Sequence, residues 1–186
     1  MAKRRIFVAI NLPEELKDKI EKKLEEVRYK FTNDVSFIER ENWHITISFL
    51  GSQKDDAVAE AVKSTVMTAK KFSAPEIKLV DMSYGPTGKQ PKMIWLNGDL
   101  RTVKLLAELK NDLEDDLVKR KIIFKNEYRQ MRVHVTLARF ERSDNLPDIS
   151  SKLQFKFMPQ SLDLMESELD YSGTKYTLLQ RAYFKL

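Results

Sequence analysis

Cysteine is absent from the 186-residue chain, which removes disulfides, thiolate metal sites and a cysteine nucleophile together. The lack fits a reducing cytoplasm, the expected location. Glycine is scarce, with five residues, and none stands in a P-loop, a dinucleotide-binding fingerprint or a serine nucleophile elbow. Kinase and oxidoreductase readings fall with those motifs. Long apolar runs are missing as well. Ile6-Phe7-Val8-Ala9-Ile10 stops at Asn11, too short for a signal-peptide core or a membrane span and suited to a first strand. Neither sign of charge dominates: 33 Lys and Arg stand against 28 Asp and Glu, so a net charge of +5 admits a polyanionic ligand without requiring one. With no low-complexity segment or flexible linker, one domain spanning 1–186 is expected.

Histidine is nearly missing too, and both copies have the same surroundings. His44-Ile45-Thr46-Ile47 and His134-Val135-Thr136-Leu137 share His, apolar, Thr, apolar. In a strand, residues i and i+2 point to one face, so each His projects with its Thr while the apolar pair buries behind them. The same alternation sets Ser48 beside His44 and Thr46, and sets Arg132 and Ala138 beside His134 and Thr136. It sends Phe49 to the buried side of the first strand and Arg139 to that of the second.

The surrounding pattern is mixed. Pro13 opens a helix whose stripe is Leu16, Ile20, Leu24, Val27 and Phe31, expected to cover the first strand. Residues 35–38 suit a short strand, and Gly51 is expected to end the first His strand. Val58, Val62, Thr65, Ala69 and Phe72 trace a second helix over about 55–72. Residues 76–83 alternate, Gly85-Pro86-Thr87-Gly88 with Pro91 signals a turn, and 93–96 reads as its partner strand. Val103, Leu106, Leu109, Leu113 and Leu117 mark a third helix over about 101–120. The second His strand spans 132–140. A connection around Asp144-Asn145-Leu146-Pro147 follows, then strands near 161–169 and 176–184 about a turn at Ser172-Gly173. Hairpin signals without a clean βαβ alternation favour α+β over a parallel sheet. A long helix and a polar stretch precede each motif, as in two similar lobes about a pseudo-twofold axis.

Two facing His-Thr pairs offer an acid, a base and two neutral donors for phosphate oxygens. Histidine changes charge near neutrality, with a free pKa of ~6.5. On opposite sides of a phosphorus, one imidazole deprotonates the incoming oxygen and the other protonates the leaving one. A metal site is the poorer reading, since two histidines without cysteine need carboxylate help and threonine is a weak ligand. Trp43, Phe49, Tyr84, Trp95 and Tyr176 are the aromatic candidates for stacking, and none is assigned that role. Basic clusters at Lys70-Lys71 and Lys119-Arg120-Lys121 read as helix ends or solvated faces that could extend an RNA path.

At these residues the chain resembles a known family. His44-Ile-Thr-Ile-Ser-Phe-Leu-Gly51 and His134-Val-Thr-Leu-Ala-Arg139 look like the paired motifs of the two-histidine (2H) phosphoesterases, nearest the RNA 2′,3′-cyclic phosphodiesterase and 2′-5′ RNA ligase-like group. Phe7 to Pro13, Ile94-Trp95-Leu96 and Gly173 to Leu178 resemble that group less specifically. Two departures are Val133 where the family usually has proline, and Gly173-Thr174 where it often has Gly-Pro. The resemblance implies an α+β, two-lobed fold with antiparallel sheets, outer helices and a central cleft. It implies a cytoplasmic monomer, with no cofactor and no membrane, that opens a 2′,3′-cyclic phosphate on an RNA or oligonucleotide end to a 2′-phosphate without metal. His44 would be the acid, His134 the base, Thr46 and Thr136 the phosphate donors, and Arg139 an assistant. Strand parity argues against Arg139 unless the strand ends or bulges before it, and sets Arg132 on the His134 side; Arg139 ranks ahead of Arg132. Alternatives are a 2′-5′ phosphodiesterase or reversible 2′-5′ ligase, and an RNA-end binding module without turnover.

Overall fold

In the computed structural model the described residues are 3–31, 35–87, 90–125, 130–141, 145–170 and 173–185. Gly88, Asp144 and Ser172, expected in turns, lie outside them. The elements run β1 (Arg4–Asn11), α1 (Glu14–Arg28), β2 (Val35–Phe37), β3 (His44–Gln53), α2 (Asp55–Lys71), β4 (Ile77–Gly85), β5 (Met93–Gly98), α3 (Leu100–Lys119), β6 (His134–Phe140), β7 (Ser151–Phe157), β8 (Ser161–Asp170) and β9 (Gly173–Tyr183). The fold is α+β. Its helices start where local chemistry allows: the Pro13 carbonyl accepts from Leu16 and Lys17 N–H, and the Asp99 carboxylate caps α3 by accepting from Thr102 N–H at 2.7 Å. Acidic Glu14 and Glu15 at the start of α1, with Arg28 at its end, complement the helix dipole.

Every ladder in the sheet is antiparallel. The strands form one open sheet in the order β7-β4-β5-β6-β3-β1-β8-β9, with β2 also paired to β6. Two four-strand halves therefore meet at β3 and β6, where Ile45 opposite Val135 is the recorded pair. The strands then part, and β2 takes the place beside β6 opposite Ala138, Arg139 and Phe140. The halves thus diverge within one sheet and are not separated by a break between sheets.

The halves match strand for strand. Asn11, Ala9, Val8 and Phe7 of β1 pair with His44, Thr46, Ser48 and Phe49. Asn97, Trp95, Ile94 and Met93 of β5 pair with His134, Thr136, Ala138 and Arg139. Ile47 and Leu137 have no partner in these ladders, so each motif carries a bulge one residue after its threonine. The bulge reverses the alternation beyond it. Ile45, Ile47 and Leu50, with Val135, Leu137 and Ala138, are buried in the main core, while Phe49 and Arg139 turn outward.

Several expectations change accordingly. β3 runs through Gly51, which adopts φ +70°, to Gln53. Strand β7 was not anticipated, although Leu153, Phe155 and Phe157 alternate toward the core; its exposed lysines masked the pattern. The α1 stripe does not simply cover β1, since Pro13, Leu16 and Lys19 border Gln154 to Phe157 of β7. The basic clusters at 70–71 and 119–121 supply ties within the helical layer. Lys71 pairs with Asp112 at 2.8 Å, and Arg120 with Glu60 and Asp116 at 2.8 and 2.7 Å.

Candidate active site

Ile45 opposite Val135 lies between the two motif pairs. In antiparallel register about that pair, His44 and Thr46 of one strand flank the junction as Thr136 and His134 do on the other, which brings the two motifs together. Both rings are held alike. His44 Nδ1 lies 2.7 Å from the Asn42 carbonyl and His134 Nδ1 lies 3.2 Å from the Arg132 carbonyl. A carbonyl only accepts, so Nδ1 carries the proton in each ring and Nε2 is the exchangeable position. His44 Nε2 meets Thr46 Oγ1 at 3.1 Å, with the hydroxyl donating when the ring is neutral.

Burial pushes both imidazoles below the ordinary histidine range. For His44 the carbonyl of Asn42 opposes that shift, and the positive charge of a protonated His134 and of Arg139 adds to it. For His134 the carbonyl of Arg132 opposes it, and the Arg132 charge adds to it. The charge of Arg139 is felt at His44 and that of Arg132 at His134, so each arginine lies near one ring. The bulge at Leu137 turns Arg139 out of the core, to the side opposite that expected from simple alternation, whereas Arg132 lies outside β6 and presents its carbonyl to His134. Ser48 does not join His44. The same kind of bulge buries it, and its hydroxyl donates to Glu114 of α3 at 2.7 Å.

The surroundings of the two rings differ. His44 contacts Phe7 at a centroid distance of 5.0 Å and Tyr176 at 5.1 Å. Phe49 adjoins Phe7 at 6.0 Å and is 64% exposed. Sequence parity hid this cluster, since it placed Phe49 inside. His134 instead lies against Trp95 at 4.2 Å. The far side of that indole closes on Gly85, where a Cβ would stand 2.2 Å from Cδ2 and Cε3. Trp43 is wholly buried with its indole N–H on the Ile38 carbonyl, and Tyr84 donates to the Pro147 carbonyl. Neither is a stacking surface.

Two proton-exchanging nitrogens, two hydroxyls and one guanidinium suit phosphoryl transfer. Comparison with known proteins points the same way. The LigT like Phosphoesterase family model matches residues 10–95. The chain is 25% identical over 184 residues to the RNA 2′,3′-cyclic phosphodiesterase of Methanocaldococcus jannaschii, covering 95% of this chain and 98% of that one. Its fold matches TT0787 of Thermus thermophilus with a TM-score of 0.82 at 20% identity, covering 97% of this chain and 98% of that one. Escherichia coli LigT complexed with 3′-AMP matches with a TM-score of 0.71 at 20% identity over the whole of both chains. The chain is thus similar to the LigT-like phosphoesterases over residues 10–95, and over nearly its whole length to a relative named RNA 2′,3′-cyclic phosphodiesterase. No described helix is long and apolar enough to cross a membrane.

Proposed function

We propose that the protein opens the 2′,3′-cyclic phosphate at an RNA end to a 2′-phosphate, with His44 as general acid and His134 as general base. The observation that carries this reading is the equivalent tautomer of the two rings. Each Nδ1–H is anchored to a backbone carbonyl two residues earlier, which leaves both Nε2 atoms for proton transfer. His134 Nε2 takes a proton from water as its oxygen attacks phosphorus. The P–O3′ bond breaks, and His44 Nε2–H gives its proton to O3′. Thr46 and Thr136 donate to the non-bridging oxygens, where charge grows in the transition state, and Arg139 supplies a positive charge beside them. The name of the M. jannaschii relative supports the substrate class.

Metal ligands are poorly provided: no group of three or more His, Cys, Asp or Glu that could hold an ion occurs among the described residues. We assign the proton transfers to the two imidazoles. The test offers a short RNA bearing a 2′,3′-cyclic end, in excess EDTA, and identifies the product. We expect the 2′-phosphate, and a loss of ~10²–10⁴-fold in rate for His44→Ala or His134→Ala. A 3′-phosphate product, abolition by EDTA, or full activity in both variants would overturn the reading. Turnover of a 2′-5′-linked oligonucleotide in place of the cyclic end would move the activity to the 2′-5′ phosphodiesterases.

A further inference from the structure

The likeness between the halves extends beyond the two tetrapeptides. Asn11 on β1 lies opposite His44, and Asn97 on β5 lies opposite His134. Each asparagine donates its amide to a carboxylate on the next strand out. Asn11 Nδ2 stands 2.8 Å from Asp163 Oδ2 on β8, and Asn97 Nδ2 stands 2.8 Å from Asp81 Oδ2 on β4. The residue two further along that strand gives a second contact: Met165 Sδ at 3.7 Å for Asn11 and Ser83 Oγ at 2.8 Å for Asn97. Each aspartate then faces a basic residue on the outermost strand, Arg181 for Asp163 and Lys152 for Asp81. Arg181 Nε is 3.5 Å from Asp163 Oδ1, an ion-pair distance without hydrogen-bond geometry. Two rows result, His44-Asn11-Asp163-Arg181 and His134-Asn97-Asp81-Lys152.

A carboxylate accepts and cannot donate, so the aspartate fixes which end of the amide is nitrogen. Nδ2 is turned to the outer strand, which leaves Oδ1 as the remaining acceptor of each amide. Among the described residues no donor reaches Oδ1 of Asn11 or Asn97. The same oriented amide therefore recurs on the strand partner of each histidine.

We propose that Asn97 Oδ1 accepts the second hydrogen of the attacking water while His134 Nε2 removes the first, and that Asn11 Oδ1 accepts from the 3′-hydroxyl once His44 has protonated it. Asn97 and Asn11 are catalytic residues in this sense, and Asp81 and Asp163 are positioning residues that act through them. A water held at both hydrogens has one lone pair directed at phosphorus, which is the orientation that in-line attack needs. The step balances as the addition of one water: hydroxide joins phosphorus as P–O3′ breaks, the water's other proton goes to His134, and O3′ takes the proton of His44. This rests on the cyclic phosphodiesterase reading above.

The test measures kcat and KM for Asn97→Ala, Asp81→Asn and the double variant on the cyclic RNA end, with melting temperatures as a check on folding. Asn97→Ala should lower kcat by ~10–10²-fold with KM nearly unchanged, because the lost contact is to water and not to the RNA. Asp81→Asn keeps volume and should lose ~3–10-fold, and the double variant should be no worse than Asn97→Ala alone. In aqueous methanol, whose hydroxyl has a single hydrogen, Asn97→Ala should lose more hydrolysis than methanolysis, whereas Asn11→Ala should leave that product ratio unchanged. Wild-type kcat in Asn97→Ala, additive losses in the double variant, or a ratio shift confined to Asn11→Ala overturns the assignment. Should Asn97→Ala not fold, full activity in the isosteric Asp81→Asn does the same. Absence of turnover in the wild-type protein removes the phosphodiesterase reading itself, a result distinct from these.

Discussion

Gly85→Ala places one methyl group where the structure has no space, and its effect should reach His134 through Trp95. The new Cβ would lie 2.2 Å from the indole atoms Cδ2 and Cε3. Ordinary carbon contacts begin near ~3.5 Å, so the indole must retreat by ~1 Å or more. Its other face is already taken by the His134 ring at 4.2 Å between centroids. Trp95 is 8% exposed, which leaves it little room to turn aside. The displacement is passed on to an imidazole whose Nδ1–H is tied to the Arg132 carbonyl at 3.2 Å. Overpacking of this kind costs ~1–3 kcal/mol, which for a chain of this length lowers the melting temperature by about 2–4 °C for each kcal/mol. Misplacing a catalytic group by ~1 Å costs on the order of 10²-fold in rate. Thermal unfolding and single-turnover hydrolysis of a cyclic RNA end read the two effects separately. A Gly85→Ala protein with melting temperature and rate both equal to wild type would refute the claim that Trp95 transmits packing to His134.

Other outcomes follow from the same geometry. Both imidazoles titrate below their ordinary range in the free protein. The form with one ring protonated, which kcat/KM requires, is therefore most populated below pH ~6.5. Above that optimum the acid is lost, and below it the base is; an optimum of kcat/KM above neutrality would contradict the assignment. The folded-state values lie below the unfolded ones, so this contribution to stability is present above pH ~6.5 and lost as pH falls through the depressed range. Melting temperatures of wild type and a His44→Asn, His134→Asn double variant should converge on raising the pH and separate on lowering it. Arg139→Met removes a positive charge that disfavours protonated His44, so the pH-rate profile should move to higher pH as the rate falls; an unmoved profile places Arg139 outside the site. Ser48→Ala leaves the buried Glu114 carboxylate with Lys110 but without its hydroxyl partner. It should cost about 1–3 kcal/mol in urea unfolding with little change in kcat.

Much of the site was legible because its chemistry is local. Two scarce histidines each followed at the second position by threonine and flanked by apolar residues define two half-sites, since strand alternation operates over neighbouring residues and needs no tertiary information. Helices α1, α2 and α3 were legible for the same reason, each carrying an apolar stripe long enough to exceed chance. What failed was parity past the motif. Alternation sent Phe49 and Arg139 inward and Ser48 outward, and the bulges at Ile47 and Leu137 reversed all three. A bulge is decided by the partner strand's register, which lies at a distance in sequence. Strand β7 was missed because exposed lysines and glutamine interrupt an otherwise alternating run.

The sequence by itself determined the candidate histidines and threonines, the α+β class and the duplication of the motif, because residue identity and short-range periodicity are properties of the chain. Only the tertiary structure decided that the halves join through one sheet at Ile45 and Val135, that a bulge turns Arg139 out of the core, and that Asn11 and Asn97 are the strand partners of the histidines. Those facts depend on which strands pair and in what register. Pairing is set by burying the faces of strands far apart in sequence, and it leaves no short-range mark on the residues it brings together.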